Sequence, residues 1–363
     1  MPAIDDEIKE LEAEIKKTQY NKATEHHIGR IKAKIARLEK VREERSKKGA
    51  GTGFFIKKGI YPSIGLLGPP SVGKSSILNA ITNAESRVGA FDFTTLSIVP
   101  GVMEYRDMKF RILDLPGVIE GAHEGRGRGK EVISVLRNVD LIVVVLDPFK
   151  YDPSYIIKEL QREGIRINQK PPKMSILLKD KGGLNITKVG KSEFDIELLE
   201  SISREFGIIN ADIILRQSMT PDVFIDGLLG NRVYIPAIFI LNKADTPEFQ
   251  KAYEFLESLN LNPIPTSVTK KRNIGLLKEK IAGKVRMIRV HLIPWNAPAD
   301  EEPMVVREGS TVEDVCKAVH TEFVEKFKFA TITGKSVRFP NQRVGLQHRV
   351  QDGDSLTVFL NKG

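Results

Sequence analysis

Apolar positions recur at two different periods along this chain, and the change of period marks its parts. Ile4, Ile8, Leu11 and Ile15 are spaced for one face of a helix, with Asp5, Asp6 and Glu7 where a helix N-terminus favours acids. Ile28, Ile31, Ile35 and Leu38 repeat that spacing, and the stretch 18–25 interrupts it. Residues 4–40 therefore predict a helical hairpin with one narrow apolar face on each helix. Gly49, Gly51 and Gly53 then predict a joint.

From Ser63 the texture becomes short unbroken runs of Val, Ile and Leu: SIGLLG, RILDLPG at 111–117, LIVVVLD at 141–147 and AIFILNKAD at 237–245. Such runs, alternating with helical segments, predict a parallel sheet covered by helices on both faces. Residues 166–234 break the pattern. KPPKMSILLKDKGGLNITKVG predicts a hairpin about Gly182–Gly183, and DIELLESISREFG an amphipathic helix closed by Gly207. This block is far longer than the dozen or so residues that a crossover between parallel strands needs, so it predicts an inserted α/β subdomain. After Arg289, VHLIPWNAP and EEPMVVREGS predict a hairpin. TVEDVCKAVHTEFVEKF predicts a helix capped by Thr311 with Asp314 as its capping-box partner, and DSLTVFL a last strand. The expected division is 1–58, a helical region; 59–165 with 235–289, the parallel-sheet domain; 166–234, the insertion; and 290–363, a C-terminal module.

Composition narrows the class. The chain has 363 residues, and 41% hydrophobic with 28% charged is a globular mixture, which excludes wholesale disorder. No apolar run approaches the ~18 residues of a membrane span. The N-terminus is charged from its fifth residue, which predicts no secretory leader. A single cysteine, Cys316, excludes an internal disulfide or a Cys-based zinc site, and its place beside Val312, Val315 and Val319 predicts a core residue. These features predict a cytoplasmic protein, with a monomer as the default. The net charge is +9, and residues 16–48 hold twelve Lys or Arg against four Glu, nearly the whole excess. A basic helix of that kind predicts a phosphate-rich partner such as RNA. Residues 290–363 read as close to neutral.

Three motifs carry the chemistry. Gly68-Pro69-Pro70-Ser71-Val72-Gly73-Lys74-Ser75, followed by Ser76, fits GxxxxGK[ST] between a strand and a helix. Its backbone N–H groups and the helix N-terminus cradle phosphates. Lys74 is placed to bridge the β- and γ-phosphates, and Ser75 to ligate Mg²⁺. Asp114-Leu115-Pro116-Gly117 ends a strand, so Asp114 can hold the Mg²⁺ through water and the Gly117 N–H can sense the γ-phosphate. Asn242-Lys243-Ala244-Asp245 ends another strand. The Asp245 carboxylate can accept from guanine N1–H and N2–H₂, a pair adenine does not offer, and a site built on such pairing rejects the wrong base by ~10⁴–10⁵-fold. The motif therefore favours GTP over ATP. Thr266-Ser267-Val268 fits the later loop whose backbone touches the guanine oxygen, with Val268 where alanine is usual. Between the first two motifs, a threonine in FDFTTL would give Mg²⁺ a hydroxyl and the γ-phosphate an N–H. Thr95 is favoured, with Thr94 as the alternative. Such a contact exists only with GTP and makes that loop a switch.

GPPSVGKSS, FTTL, DLPGVIEGAHEGRGRG and NKAD together resemble the Obg-related GTPases, and specifically the developmentally regulated GTP-binding (DRG) family in its archaeal type. KTQYNKATEHHIGRIKAKIARLEK is similar to that family's N-terminal helical region, and residues 311–359 to its TGS domain, a ubiquitin-like β-grasp module. The resemblance spans essentially the whole chain. It implies a P-loop GTPase fold with a ribosomal-protein-like insertion and a TGS domain. It also implies GTP hydrolysis with Mg²⁺, and action with ribosomes or ribosomal RNA in translation. No membrane or DNA partner is expected, and family members with protein regulators leave room for one here. The residue after DLPG, where Ras-like GTPases orient water with a Gln, is Val118, which predicts slow intrinsic hydrolysis. Some relatives stimulate hydrolysis with K⁺ held by an Asn in the phosphate loop. Ser71 stands there and still offers an oxygen. Arg126 and Arg128 lie in the glycine-rich loop after DLPG, as loop solubilisers, partner contacts or an arginine finger in cis. His123 reads as a loop residue rather than a general base, and Trp295 as packing, with base stacking as the alternative. The alternative to a GTP switch is an RNA-binding or ribosome-assembly scaffold in which GTP is mainly structural.

Overall fold

The computed structural model describes residues 2–19, 21–22, 24–47, 61–82, 99–106, 108–115, 128–189, 195–294 and 303–361. The chain divides into two units, Met1–Gly53 with Gly164–Tyr234, and Phe54–Glu163 with Ile235–Gly363.

The first unit opens with α1 (Pro2–Lys17) and α2 (Glu25–Lys47). Their turn is held locally, because the Asn21 side-chain oxygen accepts from the Thr24 N–H at 3.0 Å and the Thr24 hydroxyl from the Asn21 N–H at 3.0 Å. Glu7–Lys34 at 2.8 Å, Asp5–Arg42 at 3.1 Å and Glu14–His27 at 2.9 Å set the register of the two helices. Exposed pairs of this kind contribute little stability, about 0–1 kcal/mol each.

The second unit begins with β1 (Ser63–Leu67), α3 (Lys74–Ile81), β2 (Val99–Tyr105), β3 (Met108–Asp114), α4 (Arg128–Leu136), β4 (Leu141–Leu146) and α5 (Ser154–Arg162). The chain then returns to the first unit through β5 (Ile165–Ile167), β6 (Met174–Leu178), β7 (Leu184–Lys188), α6 (Ile196–Glu205), β8 (Ala211–Leu215), α7 (Pro221–Leu229) and β9 (Val233–Ile235).

The expected hairpin about Gly182–Gly183 does not form. β8 lies between its two strands, antiparallel to β6 and parallel to β7. Asn210 explains the detour: its side chain accepts from the Gly183 N–H at 2.8 Å and donates to the Asp180 carbonyl at 3.2 Å. The loop is thereby tied to the entry of β8 rather than folded into a tight turn.

α2 also departs from its one-face pattern. Ile28, Ile31, Ala33 and Ala36 are all buried, and the two alanines join the core of Leu198, Leu199, Ile202, Ile213 and Phe224. Small residues let α2 sit on α6 and α7 while another face meets α1. At Gly29 a Cβ would lie 2.7 Å from Leu198 Cδ1, so a side chain there would have to displace that leucine methyl. Beside this core, Asp226 accepts from Arg166 Nε at 2.6 Å and Nη2 at 2.7 Å, and from Arg232 Nε at 3.2 Å.

The second unit resumes with β10 (Ala237–Leu241), α8 (Phe249–Ser258), β11 (Ile264–Pro265) and α9 (Ile274–Val285). Its sheet runs β11-β10-β4-β1-β3-β2. The first five strands are parallel, and β2 adds an antiparallel edge to β3. Every residue of β4 is buried, and successive residues point to opposite faces, so both faces are covered. One face packs Ile64, Leu66, Val143 and Val145 against Ile77 and Ile81 of α3 and Leu277 and Ile281 of α9. This is the predicted α/β fold.

The chain ends with β12 (Met287–Leu292), β13 (Met304–Arg307), α10 (Val312–Val319), α11 (Glu322–Glu325), β14 (Phe327–Thr333), β15 (Gln342–Val344) and β16 (Asp354–Leu360). The sheet order is β13-β12-β16-β14-β15, with β12 and β16 parallel. Thr311 and Asp314 form the expected capping box. The predicted single helix breaks at the extended residue His320. Cys316 is fully buried in this core, and burial pushes its thiol up to about 11. The opposite sheet face carries Phe329 stacked on Phe359 at 4.4 Å, with the Arg343 guanidinium 4.1 Å from the Phe329 ring centre.

Among the described residues, no helix is long and apolar enough to cross a membrane.

Candidate functional site

The candidate site lies at the C-terminal ends of β1, β3, β4 and β10, where ligands bind in open parallel sheets. β1 enters the sheet centre and leaves it at Gly68, and the loop 68–73 turns directly into α3. Ser71 at φ 67° and Gly73 at φ 96° make the reversal. A Cβ on Gly73 would lie 2.4 Å from Asn242 Nδ2, so the loop needs glycine there for both conformation and space.

Five consecutive carbonyls of this loop are held from outside. Lys74 Nζ donates to Gly68 O and Pro69 O, both at 3.0 Å. Lys150 Nζ donates to Pro70 O at 2.9 Å, and Lys243 Nζ to Ser71 O at 3.3 Å. Asn242 Nδ2 donates to Val72 O at 3.0 Å. A planar trans peptide points its N–H opposite to its C=O. The N–H groups of Ser71, Val72 and Gly73 therefore each point away from a carbonyl that is already engaged, an arrangement suited to binding an anion.

Lys74 is half-buried, and desolvation lowers its pKa. The Asp114 carboxylate opposes that shift, and the Lys150 charge adds to it. The Ser75 hydroxyl donates to Asp114 Oδ2 at 2.7 Å. Two hard oxygens from the start of α3 and the end of β3 thus converge, and this donor set suits Mg²⁺ completed by water and phosphate oxygens. Ser76 is exposed in the first turn of α3. Thr95, its alternative Thr94, Gly117 and Val118 lie outside the described residues, as do His123, Arg126 and Trp295.

At the other end, Asp245 accepts from the Ser267 hydroxyl at 2.5 Å and from the Thr269 hydroxyl at 3.4 Å. The Ser267 bond is the main reason its carboxyl is held below the usual carboxylate range. The loop carrying Ser267 is itself fixed, because Thr266 N–H donates to Leu241 O and Ala244 N–H to Thr266 O. Val268 packs its side chain toward the sheet core, leaving its backbone for any ligand contact.

Asp147 is the last residue of the apolar run LIVVVLD, yet it sits at the centre of the site. It is 2% exposed, and its Oδ2 accepts from Lys243 Nζ at 2.5 Å. Its Oδ1 accepts from the N–H groups of Phe149 at 3.1 Å and Lys150 at 2.8 Å. An acid ending the strand beside the glycine-rich loop was the available signal.

The basic reading of residues 16–48 also changes. Lys34 and Arg42 face acids of α1, and Lys32 faces Asp222 at 2.8 Å. Arg30 faces Glu205 at 3.4 Å, and Arg37 donates to the Glu205 carbonyl. Much of that excess is therefore engaged within its own unit. The near-neutral C-terminal module is instead charge-segregated: residues 326–350 hold six Lys or Arg and no Asp or Glu.

A strand, glycine-rich loop and helix on a parallel sheet, with the NKAD segment at the end of another strand of that sheet, define a P-loop GTPase. Residues 63–180 match the family described as 50S ribosome-binding GTPase, 181–287 the C-terminal region of that GTPase domain, and 288–360 the TGS domain. The chain is 44% identical to an uncharacterized GTP-binding protein of Methanocaldococcus jannaschii, over 99% of this chain and 93% of that one. It is 40% identical to developmentally-regulated G-protein 3 of Arabidopsis thaliana, over 99% of both chains. It is 41% identical to developmentally-regulated GTP-binding protein 1 of Xenopus laevis, over 97% of both. The chain belongs to the developmentally regulated GTP-binding protein family.

Proposed function

We propose that this protein is a GTP-driven switch that hydrolyses GTP slowly to GDP and phosphate and acts on the ribosome or its RNA. The observation that carries the nucleotide reading is the pairing of two ends. Outward-held carbonyls shape the phosphate loop, and a hydroxyl-braced Asp245 stands at the base end.

In this reading Gly68 to Ser76 cradle the phosphates, and Lys74 neutralises the β- and γ-oxygens. Asn242, Lys243, Asp245, Ser267 and Val268 hold and read guanine. Ser75, Asp114 and Thr95 hold Mg²⁺, which supplies charge neutralisation at the transferring phosphoryl group. Thr95 and Gly117 sense the γ-phosphate, so their loops differ between GTP and GDP. Val118 offers no hydrogen bond to the attacking water, and hydrolysis without a partner is slow. Ser71 supplies the oxygen through which K⁺ would stimulate it, and equal rates in K⁺ and Na⁺ would remove that step. The proposed division is a helical region at 1–58, a GTPase domain at 59–165 with 235–289, an insertion at 166–234 and a TGS domain at 290–363, in a cytoplasmic monomer.

Two features support a ribosomal or RNA partner. The family matched by residues 63–180 is described as ribosome-binding. The module at 288–360 presents an acid-free basic stretch beside the Phe329–Phe359 stack and Arg343, a combination suited to bases and phosphates.

The test is co-sedimentation with ribosomes in GTP-analogue, GDP and nucleotide-free states, following GTP turnover in the same samples. Binding that needs the analogue, with faster turnover on ribosomes and affinity falling steeply with salt, is expected. Binding equal in all three states without stimulation would favour the scaffold, and no binding would remove the ribosome.

A further inference from the structure

The turn after β4 carries two side chains that neither the nucleotide motifs nor the family comparison assigns. Asp147, Pro148, Phe149 and Lys150 follow the central strand directly. One buried carboxylate oxygen of Asp147 accepts both the Phe149 and the Lys150 N–H groups and so braces the turn. Lys150 is thus aimed at the phosphate loop, where its Nζ meets Pro70 O at 2.9 Å.

The loop's own sequence shows why that carbonyl matters. Five peptides follow Gly68, Pro69, Pro70, Ser71 and Val72, and each has its carbonyl held. The first two lead into prolines, which have no N–H to give. Lys74 holds those two. The first peptide in the loop with a donor is Pro70–Ser71, and Lys150 holds it. Lys243 and Asn242 hold the next two. The other oxygen of Asp147 accepts from Lys243, so one carboxylate fixes two of the three side chains that orient donor-bearing peptides.

The geometry points to Lys150 and Asp147 as positioning residues for the nucleotide's phosphates: Lys150 turns the Ser71 N–H inward through the Pro70–Ser71 peptide, and Asp147 holds both Lys150 and Lys243 in place. A cation on the carbonyl also polarises the peptide and strengthens its N–H as a donor. The Lys150 charge is close enough to lower the pKa of Lys74, which places it within the electrostatics of the same loop. This inference rests on the nucleotide reading above.

The test compares the full-length protein with K150M, K150R and D147N, using fluorescent GDP titration, ³¹P NMR of bound GDP and thermal melting without nucleotide. K150M is expected to bind GDP roughly tenfold or more weakly, the scale of a lost charge-assisted hydrogen bond, with a shifted β-phosphate resonance and an unchanged melting temperature. K150R restores most of the affinity and the resonance. D147N loses more than K150M, since it releases Lys243 as well. Two results would overturn the inference: K150M binding within twofold of the parent with the same resonance, or equal losses in K150M and K150R with lowered melting. A parent protein that binds no GDP would instead overturn the nucleotide reading itself.

Discussion

The Ser267 hydroxyl donates to Asp245 Oδ1 at 2.5 Å, joining the end of the NKAD segment to the loop that follows β11. The bond favours the ionised carboxylate, so its pKa lies below the ordinary 3.8. Only the ionised form can accept both guanine donors. GDP affinity should therefore persist as pH falls and drop only below the usual carboxylate range of about 4. S267A should move that drop to higher pH. D245N should weaken GDP binding by about two orders of magnitude and favour xanthine nucleotides, whose base carries an oxygen where guanine has its amino group. Nucleotide titrations across pH check all of these.

Gly73 fails as alanine on two counts, its φ of 96° and the 2.4 Å approach to Asn242 Nδ2. A displaced Asn242 would release Val72 O and free the loop. G73A should abolish measurable GDP binding while leaving the far-ultraviolet circular dichroism unchanged. Retained binding would mean that the loop adapts, and the clamp on Val72 would lose its importance.

The Ser75–Asp114 contact predicts a shared metal role. S75A and D114N should each raise the Mg²⁺ concentration for half-maximal single-turnover hydrolysis by roughly ten- to a hundred-fold. The Mg²⁺ titration reads this directly, and an unchanged midpoint would separate either residue from the metal.

Asp226 is buried between Arg166 and Arg232 in the first unit. Removing it takes away the buried carboxylate that Arg166 and Arg232 share, with Glu39 at 3.9 Å remaining beside Arg232, so D226A should cost about 3–5 kcal/mol. Urea unfolding measures the loss. GDP affinity belongs to the other unit and should hold until unfolding begins.

Cys316 is buried in the C-terminal core with its thiol pushed from 9.0 up to about 11. The folded state therefore keeps the proton over a range where the unfolded chain has lost it. Its contribution to stability is fully present below about pH 9 and is lost as pH rises through about 11. C316S should flatten that alkaline slope, and a thiol reagent should label Cys316 only upon unfolding.

Local pattern determined much of this molecule. Unbroken apolar runs marked β1, β3, β4 and β10, because strands buried on both faces admit no polar alternation. The GxxxxGK[ST], DLPG and NKAD segments stood out because the chemistry proposed for them needs particular residue types at short range. Contacts between distant segments were not legible. β8 separates β6 from β7 through an asparagine about 27 positions from its partner, and no turn signal near Gly182 records it. The charge count on α2 could not show that Glu205 and Asp222 would meet its cations. Asp147 looked like a strand end because its partner Lys243 lies 96 residues away. Sequence by itself determined the periods, the caps and the motif chemistry, all set by neighbours in the chain. Only the tertiary structure decided which distant carboxylate holds which cation, because a buried charge takes its partner from whatever folding brings within hydrogen-bond reach.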